Sequence, residues 1–253
     1  MSNFTSIESN CFPRILVALA TYNEIENLPR LIEQIHTTLP EVEILVVDDN
    51  SPDGTGDWVL QTVQTEPYFH GIVRKDERGL GSAVLRAFQF AVDNNYDYLI
   101  NLDADFSHPV DVAPKMIEEI LKSQGNLDII IGSRYTQGGR IVNWSLTRRI
   151  MSYGVNCYAR IMLGLKTRDN SGSYRIYRVE TLRALLQERL LSNGYSFFEE
   201  TLFRLKRHGA RMAEIPITFT DRQFGSSKIN QKEAFRALIV IGRLGLSRLI
   251  RRR

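Results

Sequence analysis

The sequence predicts an α/β protein with a mostly parallel central sheet and helices on both faces. Three observations carry that prediction. Short, almost unbroken apolar runs alternate with amphipathic stretches along the chain. Strands that are apolar on both faces belong to a sheet covered on both sides, and strand–helix alternation is the wiring of parallel sheets. With 253 residues and 43% hydrophobic side chains, the chain can also bury one substantial core without a second domain.

In chain order, RILVALA (14–20) is the first strand and EIENLPRLIEQIHTTL (24–39) the amphipathic helix that returns from it. VEILVVDD (42–49) is the second strand, followed by a turn and the helical stretch DWVLQTVQ (57–64). YDYLINLD (96–103) is a later strand, with PVDVAPKMIEEILKS (109–123) as its helix, and LDIIIGS (127–133) is another strand. No internal repeat or low-complexity linker interrupts this order. A dinucleotide-binding Rossmann domain shares the alternation, but its glycine fingerprint should follow the first strand, where this chain reads ATYNE. Gly79-Leu80-Gly81 is a lone G-x-G, which a tight backbone turn explains equally well.

Open α/β sheets bind ligands beyond the carboxyl ends of their strands. Here those ends carry Thr21-Tyr22-Asn23-Glu24, then Asp48-Asp49-Asn50-Ser51-Pro52-Asp53-Gly54, then Asp103-Ala104-Asp105, so three segments bring acids and hydroxyls to one edge. In extended chain, residues i and i+2 point the same way, so Asp103 and Asp105 converge. Two like charges held together raise one pKa unless a cation lies between them. A hard divalent metal, Mg2+ or Mn2+, satisfies such a pair and completes its shell with water and substrate phosphate. The competing use is a cap on the helix that begins near Pro109. The two readings stand level on spacing alone.

The net charge of +3 hides an asymmetry: residues 201–253 hold 13 Lys and Arg against 3 Asp and Glu, a balance of +10 against −7 for the rest. The basic end is a contact for something anionic, whether nucleic acid, a phosphate-bearing small molecule or a membrane surface. Cys11 and Cys157 lack metal-type spacing and read as reduced thiols. No run approaches the ~18 apolar residues of a membrane span, and the N-terminus lacks a signal-peptide pattern, so a cytosolic protein is expected.

Taken together, ATYNE, VVDDNSPDGTG, GLGSA, DADFSHP, GSRY, DNSGSYRIYR, GYSFFEE and EIPITFTDRQFGSSK resemble, in order, the motifs of an inverting family 2 glycosyltransferase with the GT-A fold. Within that family they resemble the dolichol-phosphate mannosyltransferases, or polyprenyl-phosphate mannose synthases. The resemblance spans about residues 14 to 230, and DDNSPDGT together with DRxxGxSK is its specific part. It implies a GT-A domain over 14–230, an N-terminal tail over 1–13 and a basic amphipathic helix over 231–253.

The resemblance also assigns roles. Thr21, Tyr22, Glu24, Asp48 and Asp49 correspond to segments that hold the donor's base and ribose, and Asp103, Ala104 and Lys228 to further donor contacts. Asp103 and Asp105 correspond to the metal and diphosphate site, with Ser107 at a place where many relatives carry Gln as a further ligand. Arg134, Arg148 and Ser152, with Arg222, correspond to groups that bind acceptor or donor phosphates. The implied catalytic set is Asp105, Arg134, Arg148 and Arg222. The implied reaction moves mannose from GDP-mannose to a dolichyl or polyprenyl phosphate with Mg2+ or Mn2+. The same transfer from UDP-glucose or another nucleotide sugar is its nearest rival.

An acceptor phosphate monoester is largely dianionic at neutral pH, because its second pKa is about 6, so no essential general base is expected. Glu199 and Glu200 are then structural or positioning groups, and His108 either supports a neighbouring ligand or starts the helix and is not itself a ligand. Arg175 reads equally as functional or as a partner for carboxylates of the fold. Ala20 replaces the proline of the family's PTYNE, which removes a restraint but no chemistry. RKDERGLG matches the family poorly and receives no assignment.

The end of the chain, EAFRALIVIGRLGLSRLIRRR, is apolar but broken by Arg236, Arg243 and Arg248 and closed by three arginines. Such a helix suits a lipid interface with its arginines on anionic headgroups, and equally a core-packing helix with a solvated basic tail. A polyprenyl phosphate is reached only at a membrane, which favours peripheral contact on the cytosolic face and leaves room for a membrane partner subunit. A non-catalytic nucleic-acid module is the rival of another class. It calls for aromatics among the basic residues, and residues 236–253 contain none.

Overall fold

The structure, a computed structural model, describes residues 12–192, 194, 196–221 and 231–250. The first half alternates strictly: β1 (Ile15–Thr21), α1 (Leu28–Thr38), β2 (Glu43–Asp48), α2 (Thr55–Thr65), β3 (Phe69–Val73), α3 (Leu80–Asp93) and β4 (Tyr98–Asn101). A 3-10 turn at Val110–Val112 leads into α4 (Ala113–Lys122) and β5 (Ile129–Ser133). Then come β6 (Arg140–Val142), α5 (Leu146–Leu163), β7 (Arg175–Arg178), α6 (Val179–Leu186), α7 (Phe197–Arg207), β8 (Met212–Pro216), β9 (Thr218–Thr220) and α8 (Gln231–Ile250).

Seven strands form one sheet in the order β3-β2-β1-β4-β7-β5-β8, and β6 pairs with β9 beside it. Every neighbouring pair in the large sheet is parallel except those made by β7, which runs antiparallel to β4 and to β5. The expected mostly parallel sheet is therefore present, with one reversed strand near its middle. Its strands bury both faces, as their composition requires. Leu16 and Ala18 of β1 join one apolar cluster with α3, α5, α6 and α7, whereas Ile15, Val17 and Leu19 join the other with α1 and α4.

Boundaries differ from expectation where proline acts. α1 starts at Leu28 rather than Glu24, because Pro29 is tolerated only in a first turn, where a missing N–H costs nothing. α4 likewise starts at Ala113 with Pro114 in its first turn, so residues 110–112 form a separate 3-10 turn. Neither helix start has a side-chain cap, which removes the capping explanation for the Asp103–Asp105 pair.

At the far end of the sheet from the polar loops, Glu43 accepts hydrogen bonds from Arg14 Nη2 (3.0 Å), Tyr96 Oη (2.6 Å) and His70 Nε2 (2.7 Å). Burial alone would raise this carboxyl, but the hydrogen bonds from Tyr96, His70 and Arg14 outweigh it and hold its pKa at about 2. A depressed carboxylate contributes stability that is complete above the unfolded value of about 4.3 and is lost as pH falls through the folded one. Glu43→Gln is therefore expected to flatten the acid limb of the stability curve between about pH 5 and 2, measured by circular dichroism.

α8 packs along α5. Gly245 comes so close that a Cβ there would lie 2.8 Å from Met162 Cε, and Ile241 and Leu244 are buried in the core. Its outer side leaves Phe235, Leu238, Ile239 and Leu246 exposed, as α5 leaves Leu146, Ile150, Met151 and Ile161. Among the described residues no helix is long and apolar enough to cross a membrane. Cys157 on α5 is a half-buried free thiol; Cys11 and most of the expected N-terminal tail lie outside the described residues.

Candidate active site

Because β1, β2, β4 and β5 run in the same direction, their carboxyl ends meet at one edge, and a cleft of about 540 Å³ opens there. Asp103, Asp105 and Ser107 line one wall of it, with Arg134, Arg148 and Ser152 also on its surface. The residues expected to handle donor diphosphate and acceptor phosphate are thus brought together. Arg222 and Lys228 lie outside the described residues.

The acidic loop is held in an unusual shape. Phe106 adopts φ 60°, a left-handed conformation that bulky side chains avoid, and this turns Asp105 and Ser107 toward the cleft side. Asp105 Oδ1 accepts the Ser107 N–H at 3.1 Å, and Asp103 Oδ1 accepts the Ser173 hydroxyl at 2.6 Å. The Asp103 N–H donates to His108 Nδ1 at 3.2 Å. Burial pushes His108 below its ordinary pKa, so the ring is neutral and braces the loop from beneath. Ala104 is buried in the apolar cluster between the two acids and anchors the loop.

These groups fit a hard divalent cation. Two carboxylates lie on one wall, and the Ser107 hydroxyl is buried without a hydrogen-bond partner in the described structure. Among the described residues no cluster of three or more His, Cys, Asp or Glu is placed to hold a metal. A cation there would draw the rest of its shell from water and substrate phosphate, as Mg2+ and Mn2+ do.

The two cleft arginines are committed differently. Arg134 spends its fork on Asp169, with Nε to Oδ2 and Nη2 to Oδ1 both at 2.7 Å, and its backbone N–H adds a third bond at 2.9 Å. Burial opposes both charges, yet the pairing wins: Arg134 is held above its ordinary pKa and Asp169 below its own. Among the described residues Nε and Nη2 of Arg134 are engaged and Nη1 is not. Arg148 gives Nη1 alone to Asp221 (3.0 Å) and lies over the Trp144 ring at 4.0 Å. Its Nε and Nη2 edge, the geometry that matches phosphate oxygens, stays uncommitted among the described residues. Ser152, one turn along α5, accepts a hydrogen bond from Tyr135 Oη at 2.7 Å.

The expected base and ribose residues do not line this cleft. Asp48 is fully buried, with Oδ1 taking the Thr21 and Ser51 hydroxyls and Oδ2 the Ser51 N–H. Thr21 and Asp48 therefore shape the strand-end loops from within. Asp49 is tied to Arg74 and to the Gly79 N–H (2.7 Å), where Gly79 holds φ 134°. Tyr22 and Glu24 are half-buried at that edge, Tyr22 beneath the Arg78 guanidinium at 5.2 Å. Arg74, in the segment that received no assignment, is thus the counter-charge of Asp49.

Arg175 resolves as structural: it is fully buried, donating Nη1 to the Phe198 carbonyl and Nη2 to that of Asn170. Glu200 is structural too, accepting from the backbone of Leu191 and Ser192 and pairing with Arg204. Glu199 differs from it: it lines the cleft at 2% exposure, and among the described residues its Oε2 has no hydrogen-bond partner. Asp169, Ser173, Trp144 and Asp221 were not singled out from the sequence. Asp169 and Ser173 fall in the quoted DNSGSY motif, and Asp221 opens DRQFGSSK.

The sequence profile described as Glycosyl transferase family 2 matches residues 16–186. The chain is 40% identical over 234 residues to the undecaprenyl-phosphate mannosyltransferase of Micrococcus luteus, covering 92% of this chain and 95% of the relative. It is 37% identical over 235 residues to the polyprenol monophosphomannose synthase of Mycolicibacterium smegmatis, covering 92% and 87%. In three dimensions it is similar to glucosyl-3-phosphoglycerate synthase from Mycobacterium tuberculosis in complex with UDP. The TM-score is 0.66 at 14% identity, over 92% of this chain and 80% of the other. The same synthase with Mg2+ and UDP also gives 0.66, over 91% and 78%. This likeness establishes the GT-A-type α/β fold. With that fold, the profile match and both relatives in agreement, the chain belongs to glycosyl transferase family 2.

Proposed function

We propose that the protein transfers mannose from GDP-mannose to a polyprenyl or dolichyl phosphate, with inversion, using Mg2+ or Mn2+. One observation carries this reading: a single cleft holds an acidic, cation-fitting wall at Asp103, Asp105 and Ser107 together with the uncommitted edge of Arg148. An anionic donor and an anionic acceptor need just such separate charge partners before they can approach. When bound, the divalent ion neutralises charge on the departing diphosphate. Asp103 and Asp105 hold that ion, Tyr22, Glu24 and Asp49 with its neighbours shape the nucleoside side, and Arg148 with Arg134 Nη1 and Ser152 orients the acceptor phosphate. Because that phosphate is already anionic, no side chain needs to remove a proton from it.

The names of the two bacterial relatives support a mannosyl donor and a polyprenyl phosphate. Met151 of α5 and Ala237 of α8 line the cleft, and both helices carry further exposed apolar residues, which supports peripheral docking on a membrane. A membrane partner subunit remains compatible with that docking. The test incubates purified protein with polyprenyl phosphate, Mn2+ and either labelled GDP-mannose or labelled UDP-glucose, and follows label into organic solvent. Lipid-linked label is expected from GDP-mannose. Label from UDP-glucose alone would replace the donor assignment, and label from neither would remove the proposed activity.

A further inference from the structure

We infer that Glu199 is a sugar-specificity residue whose carboxyl reads a hydroxyl of the hexose on the nucleotide donor. The inference rests on the reading of this cleft as a nucleotide-sugar site. It begins from an imbalance that the fold itself leaves open. Glu199 and Glu200 are adjacent in the first turn of α7 and both are buried. Glu200 has its oxygens taken by the Leu191 and Ser192 N–H groups and by Arg204. Among the described residues Glu199 Oε2 is buried with no hydrogen-bond partner, although Glu199 lines the same cleft as Ser173 and the acidic loop. Buried polar atoms are nearly always paired, so an orphaned carboxyl oxygen on a ligand cleft implies that the ligand completes it.

The chemistry of the ligand selects which part does so. The acceptor phosphate and the donor diphosphate are anions, which a carboxylate repels. A polyprenyl chain has no polar group to offer. The hexose, attached to a diphosphate held at Asp103 and Asp105, presents several hydroxyls next to that wall, each able to donate and to accept. Burial is the main cause that pushes the Glu199 carboxyl up to about 7, opposed by its own backbone N–H, Arg175 and Arg134 and reinforced by Asp169. Near neutrality the group is therefore divided between a hydrogen-bond donor and an acceptor, and a hydroxyl partners both forms. The position of the carboxyl is fixed from below. Phe198, its neighbour, has its carbonyl held by the buried Arg175 Nη1 at 2.9 Å.

The test compares the full chain with Glu199→Gln, which keeps hydrogen bonding, and Glu199→Met, which removes it at similar volume. The donors are GDP-mannose and its 2-, 3-, 4- and 6-deoxy analogues with polyprenyl phosphate and Mn2+. The wild type is expected to lose roughly 10- to 100-fold in kcat/KM with one deoxy analogue, the range for a lost hydrogen bond to such a group. Glu199→Met should lose a similar factor on GDP-mannose and nothing further on that analogue, while Glu199→Gln retains most of the discrimination. Calorimetry without acceptor should show the wild type binding GDP-mannose more tightly than GDP, with that margin reduced in Glu199→Met.

The melting temperature gives an independent sign. At about pH 6, removing an unpaired buried carboxyl is expected to leave Tm unchanged or raised, which a structural residue would not do. Unaltered discrimination against all four analogues in Glu199→Met would overturn the inference. So would a uniform loss with every donor accompanied by a lower Tm, or a collapse of kcat in Glu199→Gln at constant KM, which marks proton transfer. If Glu199→Met does not fold, the analogue series on Glu199→Gln decides, since unchanged selectivity in every position with weakened turnover also rejects it. Wild-type turnover separates the two readings: absent transfer from GDP-mannose removes the proposed function, whereas normal transfer with insensitive variants removes only the role of Glu199.

Discussion

Asp105→Ala is expected to reduce mannosyl transfer by roughly a thousandfold or more while leaving the fold in place, because a divalent ion supplies several kcal/mol of stabilisation to developing charge. Asp105 is buried at 5% exposure on the cleft, and its Oδ1 accepts the Ser107 N–H at 3.1 Å. Loss of that hydrogen bond changes stability by about 1 kcal/mol, small beside the total stability of a domain. Initial rates across a Mn2+ titration test the first part, and a melting curve tests the second. Electron paramagnetic resonance of Mn2+ in the presence of GDP should show bound ion in the wild type and its loss in the variant. Retained activity with unchanged Mn2+ dependence would remove Asp105 from the cation site.

The second large effect is on stability. Asp169→Ala is expected to cost about 3–5 kcal/mol, because it leaves the Arg134 guanidinium buried without its counter-ion. Asp169 is fully buried and accepts from Arg134 Nε, Nη2 and N and from the Gly172 N–H. Domains have only about 5–15 kcal/mol in total, so the variant should show a much lower urea midpoint at an unchanged slope. Asp169→Asn keeps part of the hydrogen bonding and should fall in between. An Asp169→Ala protein as stable as the wild type would mean that the Arg134 pair is dispensable for the fold.

How much of this was legible follows from what each residue depends on. β1, β2, β4 and β5 could be read from their apolar runs, because a strand buried on both faces has to be apolar throughout. β3 could not, since FHGIV carries a histidine and a glycine; Gly71 is required there because a Cβ would lie 2.4 Å from Val59 Cγ1. β7 reads RIYR, and arginine in a central strand contradicts composition rules. Arg175 donates to the carbonyls of Asn170 and Phe198, the second of them 23 residues away. The convergence of Asp103 and Asp105 followed from the two-residue period of extended chain. The commitment of Arg134 did not, since its partner lies 35 residues later. Glu199 and Glu200 received one expectation between them, yet neighbours on a helix of 3.6 residues per turn point about 100° apart. Docking of α7 alone decides which of the two meets the cleft.

The reversed strand β7 also sets an order in time. β5 pairs only with β7 and β8, both of which follow it in the chain, and roughly 40 residues separate Ser133 from Arg175. At ~5–20 residues per second, a ribosome leaves Ile129, Ile130 and Ile131 without a strand partner for several seconds, while β1 to β4 already have theirs. The nascent chain therefore carries an unpaired, fully apolar strand edge late in synthesis, the kind of segment that chaperones engage.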